Sequence, residues 1–160
     1  MGKHDTSFLR GLGYPVQKPD LADEVLYGVV WLANQTQRQV AKTLKPYGLA
    51  PVKLNYLMVV KHVGGEKGIS QREIASRLLI DPGNVAHVLD NLEKKGWVVR
   101  SPGPDRRSHR IKVTPEGNRL LDKVWPVYDG VMKSMTASLT KADQQQLIKI
   151  LGLWRDKLGQ

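Results

Sequence analysis

The stretch that decides the fold is residues 69–96, ISQREIASRLLIDPGNVAHVLDNLEKKG. It opens with Ser70 three residues before Glu73, which is the capping-box pattern of a helix N-terminus. Ile69 and Ile74 occupy the positions of the hydrophobic staple that accompanies such a box. We therefore predict a short helix over residues 71–78.

A second helix start follows within a few residues. Asp81 is a favoured N-cap residue, and Pro82 suits the first helical position. This helix is predicted to run to Lys95 and to stop at Gly96, with its apolar face made of Val85, Val88, Leu89 and Leu92. Two short helices separated by about three residues are what a helix-turn-helix requires.

The residues after Gly96 change from helical to strand periodicity. Residues 97–100 and 109–113 have the composition of strands, and residues 101–108 between them are rich in Pro, Gly, Ser and Asp. A β-hairpin is therefore predicted directly after the second helix. It would be the wing of a winged helix-turn-helix.

Longer helical segments flank this module. Apolar residues recur at helical spacing over residues 20–47, and a further helix fits 51–63. A cap followed by proline at Thr114-Pro115 starts another helix, and Thr140 starts the last one. In that last helix the apolar positions repeat at intervals of 4, 3 and 4, which suits a partner helix: Leu147, Leu151, Trp154 and Leu158.

Together these elements predict a mainly α fold with a small β wing, a winged helix-turn-helix with long N- and C-terminal dimerisation helices. We expect an irregular N-terminal arm at 1–19 and dimerisation helices at 20–47 and 118–160. The winged helix-turn-helix would occupy residues 48–117.

Composition restricts the function classes. The chain has 160 residues, a formal net charge of +10 and no cysteine. So basic a balance favours a polyanionic partner such as nucleic acid or an acidic membrane surface. The lack of cysteine excludes disulfides, thiolate zinc sites and thiol-based redox sensing. No apolar run reaches the roughly 18 residues of a membrane span, and no apolar signal stretch opens the chain, so a cytoplasmic location is expected.

Enzyme signatures are missing as well. The sequence contains no Gly-x-Ser-x-Gly, P-loop or dinucleotide-binding fingerprint, so no enzymatic activity is expected. Its four histidines show no metal-ligand spacing, so we expect neither a metal site nor another cofactor.

The polar face of the second helix supplies the candidates for base contact. Asn84 and His87 lie one turn apart near its N-terminus, and Asn91 follows on the same side. Asparagine can pair bidentately with adenine, and histidine can donate to guanine or to phosphate. A merely solvated helix face is the alternative. At the start of the preceding helix, Ser70 and Gln71 are further candidates for DNA contact.

The wing region is strongly basic. Between residues 94 and 112 a single acid, Asp105, faces seven cations: Lys94, Lys95, Arg100, Arg106, Arg107, Arg110 and Lys112. We expect the four arginines to contact DNA, because they lie on or beside a hairpin next to the candidate recognition helix. Asp105 could hold one guanidinium while another reaches the minor groove.

Two segments carry a family resemblance. DPGNVAHVLDNLEKKGWV, residues 81–98, resembles the recognition helix of MarR-type (multiple antibiotic resistance) regulators. DRR at 105–107 with VTPEG at 113–117 is similar to that family's wing and the helix start after it. The resemblance covers roughly residues 20–158. It implies a homodimer on a pseudo-palindromic operator, with Arg107 in the minor groove and Asp105 as its brace.

The same resemblance implies a small-molecule effector. Many members of the family respond to small aromatic or phenolic acids, held between the dimerisation helices and the winged module. Trp31, Tyr56 and Trp125 are the aromatic candidates for such a pocket. The alternative is that these aromatics belong to the core or to the dimer interface, as is also expected of Trp154.

The expected function is therefore that of a sequence-specific transcriptional regulator, a repressor that binds double-stranded DNA as a homodimer and is released by a small aromatic or amphipathic acid. Two other readings compete with it. The ordered caps and the dimerisation helices disfavour a nonspecific architectural DNA binder. The basic wing disfavours a winged helix used for protein contacts.

Overall fold

The structure, a computed structural model, describes residues 7–18, 20–103 and 109–159. In these ranges one two-stranded antiparallel sheet, of β1 (Val98–Pro102) and β2 (His109–Val113), accompanies seven α-helices. The helices are α1 (Phe8–Gly11), α2 (Leu21–Leu44), α3 (Pro51–Val59), α4 (Gln71–Leu78), α5 (Pro82–Lys94), α6 (Pro115–Thr136) and α7 (Lys141–Leu158). The predicted mainly α fold with a small β wing is confirmed.

Both helices of the helix-turn-helix begin where their caps predict. The Ser70 hydroxyl accepts a hydrogen bond from the Glu73 amide, and the Ser70 amide donates to the Glu73 carboxylate at 2.9 Å. The Asp81 carboxylate accepts from the Gly83 amide at 2.7 Å and caps α5. Between the helices Leu79 adopts a left-handed conformation with φ of 54°, which turns the chain from α4 into α5.

The hydrophobic core lies where α3, α4, α5 and the hairpin meet the C-terminal part of α2 and the first half of α6. Val85, Leu89 and Leu92 of α5 are completely buried there. Full burial of one such side chain contributes about 1.5–3 kcal/mol of transfer free energy. The apolar stripe predicted for α5 is therefore the face with which the helix packs.

The wing is longer than its composition indicates. In the antiparallel register Val98 pairs with Val113 and Pro102 with His109, so β1 includes two residues that were expected in the turn. Pro102 is tolerated because β1 is the edge strand, where an amide donor is not required. On its other side β2 exchanges two backbone hydrogen bonds between Ile111 and Ile69, at 2.8 and 3.0 Å.

Two helix ends differ from the prediction. The last residues of the expected 20–47 helix form a 3-10 turn, Lys45–Tyr47, because Pro46 has no amide to continue the α pattern, and Gly48 ends it at φ of 61°. The expected helix 51–63 is α-helical only to Val59 and continues as a π turn, Val60–Gly64. Apolar spacing does not distinguish a π turn from an α turn.

The expected irregular arm contains one helical turn, α1, which packs on α2. Leu9 is buried, and its amide donates to the Glu24 carboxylate at 3.0 Å. The Ser7 hydroxyl donates to the same carboxylate and lowers the pKa of Glu24 below its usual value. The Phe8 ring meets Trp31 edge-on with 5.7 Å between centroids. So short a helix is held by these contacts, which composition cannot reveal.

The helix after the wing begins against the backbone of Trp97. Thr114 caps α6 by accepting from the Gly117 amide at 3.0 Å, and the Thr114 amide donates to the Trp97 carbonyl. A Cβ added to Gly117 would lie 2.2 Å from that carbonyl oxygen and 2.8 Å from a Val113 methyl group. Only glycine fits at this position.

We expect Gly117→Ala to destabilise the protein by at least the roughly 1–3 kcal/mol of an overpacked core, because backbone rather than a flexible side chain must move. Gly130→Ala is the matched control on the same helix, since its added Cβ meets nothing within 4 Å. The control is expected to gain about 0.5–1 kcal/mol. Urea unfolding of the three proteins measures both effects, and equal midpoints for Gly117→Ala and wild type would contradict this account.

Candidate DNA-binding site

The N-terminal half of α5 presents two candidate side chains to solvent. Because the stripe of Val85 and Leu89 points into the core, Asn84 and His87 lie on the opposite, exposed side. Among the described residues, neither side chain is held by a hydrogen bond or an ion pair. The structure thus keeps together the pair that the sequence predicts for base contact, with its donors and acceptors available.

Asn91 occupies a different position from this pair. It is half-buried, and its side-chain oxygen accepts a hydrogen bond from the Lys53 ammonium at 2.7 Å. This bond joins α5 to α3 inside the module. Helical spacing alone places Asn91 on the exposed face, so its partner from α3 could not be foreseen.

Arg100, on β1, is bound by two carboxylates of α5. Its guanidinium donates to Asp90 at 2.6 Å and to Glu93, and its backbone amide donates to Glu93 at 3.0 Å. Only 21% of the side chain is exposed. The charge that was expected to face DNA is here neutralised within the protein.

Arg110, on β2, is paired in a similar way. Its guanidinium donates to the Glu73 carboxylate at 2.8 Å, at the start of α4. The Ser70 hydroxyl, the Ser70 amide and Arg110 together lower the pKa of Glu73. Ser70 is therefore engaged as the helix cap, and Gln71 follows it, half-buried, in the first turn.

The other wing candidates, Asp105, Arg106 and Arg107, lie outside the described residues. Exposed cations that the sequence reasoning missed occur instead on α4. Arg72 and Arg77 line a groove with Arg155 near the end of α7. The sequence did contain a signal for the two α4 arginines. The helical spacing that buries Ile74 and Ala75 places both arginines on the exposed side of the helix.

A cavity of about 400 Å³ lies between the end of α3 and the middle of α6. Two of its lining residues, Lys61 and Asp122, form an ion pair with 3.5 Å between ammonium and carboxylate. The lining residues are Met58, Lys61, His62, Leu121, Asp122, Trp125 and Pro126. This volume falls in the range of small-molecule pockets.

Of the three aromatics expected in one pocket, only Trp125 lines this cavity. Trp31 packs against Phe8 of the arm. Tyr56 is only 1% exposed, and its burial in the core raises the pKa of its hydroxyl. Tyr56 is therefore a core residue, which was the alternative interpretation of these aromatics.

Large apolar side chains remain exposed on two helices. On α7 no residue is buried, and four of its apolar residues are at least half exposed: Ile148, Ile150, Leu153 and Leu158. On α2 the exposed apolar residues include Leu21, Val25, Leu26, Val30 and Leu32. Apolar patches of this extent are characteristic of interaction surfaces. None of the helices in the described ranges is both long and apolar enough to cross a membrane.

Known proteins share this architecture. A model of the MarR family matches residues 47–108. The HTH-type transcriptional regulator YkoM of Bacillus subtilis is 35% identical over 108 residues, 67% of this chain and 68% of that protein.

Two solved structures resemble the fold. A mutant of E. coli MarR complexed with operator DNA has a TM-score of 0.73 at 25% identity, over 84% of this chain and 97% of that one. CouR from Rhodococcus jostii RHA1, bound to p-coumaroyl-CoA, has a TM-score of 0.72 at 25% identity, over 84% and 93%. The likeness in sequence and the likeness in helix arrangement agree, and this chain belongs to the MarR family of transcriptional regulators.

Proposed function

We propose that this regulator binds double-stranded DNA as a homodimer, at a pseudo-palindromic operator whose sequence it reads. It represses transcription from there and is released by a small aromatic or amphipathic acid. The observation that carries the proposal is the exposed N-terminal half of α5, with Asn84 and His87 unengaged among the described residues. An α-helix fits the major groove, and the N-terminal residues of a recognition helix reach the base edges.

The hairpin beside α5 supports the same reading. In the sequence, Asp105, Arg106 and Arg107 come between β1 and β2, the two strands of this hairpin. We propose that Arg107 enters the minor groove with Asp105 as its brace. The solved complex of MarR with operator DNA, which has the same fold, agrees with a DNA-binding role for this module.

The unpaired apolar faces of α2 and α7 support a homodimer. Leu147 and Leu151 are each 43% exposed, on a helix that buries no residue within its own protomer. A second copy would remove these faces from water by the same contacts on both sides. Two recognition helices related by a two-fold axis then require an inverted repeat in the DNA.

The cavity between α3 and α6 supports an effector. Trp125 offers an aromatic surface. His62 and the ammonium of Lys61, which also pairs with Asp122, offer groups for a carboxylate. CouR, with the same fold, binds p-coumaroyl-CoA, which carries an aromatic acyl group. A ligand at the junction of the winged module and α6 can favour one spacing of the recognition helices, provided that it binds the two states unequally.

Selection of bound sites from random DNA should yield an inverted repeat with half-sites about 34 Å, one helical turn, apart. Asn84→Ala is then expected to weaken binding to that site by about 1–3 kcal/mol while leaving binding to random DNA unchanged. Asn55→Ala, which removes an exposed asparagine from α3, is the control. Equal enrichment of all sequences would favour the architectural binder, and no binding at low salt would favour a protein-contact role.

Replacing both Leu147 and Leu151 by Asp should convert the dimer to monomers, because two carboxylates would enter an apolar interface. Sedimentation velocity measures the change, and operator affinity should fall with it. Gln146→Asp, on the same helix, adds a charge at a polar exposed position and should remain dimeric. A stable dimer of the double variant would show that α7 is not the interface.

Benzoate- and phenol-like acids should quench tryptophan fluorescence and weaken operator binding by the roughly 5- to 150-fold typical of allosteric coupling. Trp125→Phe should remove most of the quench, whereas Trp154→Phe should retain it. Matched neutral amides test the role of the carboxylate. An acid panel that leaves operator affinity unchanged would refute release by such a ligand.

A further inference from the structure

We propose that Arg100 and Arg110 are positioning residues, which clamp the wing hairpin onto the two helices of the helix-turn-helix and do not act as phosphate ligands. The inference rests on the proposed DNA binding and deepens it, because it assigns a role in placing the wing. This positioning role replaces the direct DNA contact that the charge of the two arginines suggested. One arginine lies on each strand, and each is paired with a different helix.

The first half of the clamp joins β1 to α5. Arg100 donates from its guanidinium to Asp90 and Glu93 and from its backbone to Glu93. Hydrogen bonds between charged partners are about twice as strong as neutral ones, and a forked arginine pair also fixes geometry. The strand cannot slide along α5 without breaking all three bonds.

The second half joins β2 to α4. Arg110 donates to the Glu73 carboxylate at 2.8 Å, and the same carboxylate completes the capping box with Ser70. One residue further along, Ile111 exchanges backbone hydrogen bonds with Ile69, the residue before that cap. The wing is thereby attached to the N-terminus of α4 by side chain and backbone together.

The placement of the acids distinguishes a clamp from a phosphate site. Asp90 and Glu93 lie on the candidate recognition helix, where an unpaired carboxylate would repel DNA phosphates. If Arg100 bound phosphate, these acids would compete for it, and removing them would strengthen DNA binding. If Arg100 positions the wing, removing them would weaken operator binding even though the protein becomes more positive.

The test uses the full-length protein and an operator selected by the wild type. The double variant Asp90→Asn, Glu93→Gln should bind that operator roughly 3- to 30-fold more weakly, as expected for the loss of a coupled pair, and random DNA no more weakly than wild type. The control Glu116→Gln, Asp129→Asn removes two acids that pair within α6, with Arg119 and Lys133. It should not weaken operator binding. Tighter operator binding by the Asp90, Glu93 variant would overturn the clamp.

The salt dependence of DNA binding distinguishes a phosphate ligand from a positioning residue. Loss of one phosphate contact lowers the slope of log K against log salt by about 0.9. Arg100→Gln and Arg110→Gln should each keep the wild-type slope on random DNA and lose operator preference. A reduced slope in either variant would identify a phosphate ligand and overturn its part in the clamp.

The acid variants also test the clamp in case an arginine variant does not fold. Glu73→Gln keeps an oxygen for the helix cap but removes the charge that holds Arg110, so it should lower operator preference like Arg110→Gln. If either arginine variant fails to fold, as judged by circular dichroism, the operator affinity of the corresponding acid variant tests that half of the clamp. Wild-type protein that selects no site would refute the proposed function itself, an outcome separate from every variant comparison.

Discussion

Burial of Val85, Leu89 and Leu92 fixes the rotation of α5 about its axis, and the arrangement of the site depends on that rotation. With 3.6 residues per turn, the side chains on the opposite side of the helix must point outward. Asn84 and His87 are exposed for this reason and not because of any contact of their own. The same rotation carries Asp90 and Glu93 to the side of α5 on which β1 lies, where Arg100 meets them.

The positive charge of the chain has two uses in this structure. Part of it is paired with acids within the protein, because Arg100 and Arg110 join the hairpin to carboxylates of α5 and α4. Another part stays on the surface, as with Arg72 and Arg77 of α4. A net charge of +10 indicates a polyanionic partner, but it does not tell which cations face that partner. Which cations are paired within the protein depends on which acids lie close to them in the folded chain.

The protomer leaves much apolar surface open to water. The core is shared by the winged module, the end of α2 and the first half of α6, whereas no residue of α7 is buried. In the proposed dimer this open surface is the interface, and α6 connects it to the module that carries α5. The cavity beside Trp125 lies along that connection, between α3 and α6. In the function proposed above, a molecule bound there acts on the relative position of the two recognition helices.

Local sequence signals determined the helix-turn-helix and the family. Caps at Ser70, Asp81 and Thr114 act within four residues, and apolar spacing acts along a single helix, so both can be recognised in the chain itself. The role of Gly117, the partner of Asn91 and the burial of Tyr56 were decided by the tertiary structure. They result from contacts between residues distant in the chain, and charge, spacing and residue type do not encode which distant groups will meet.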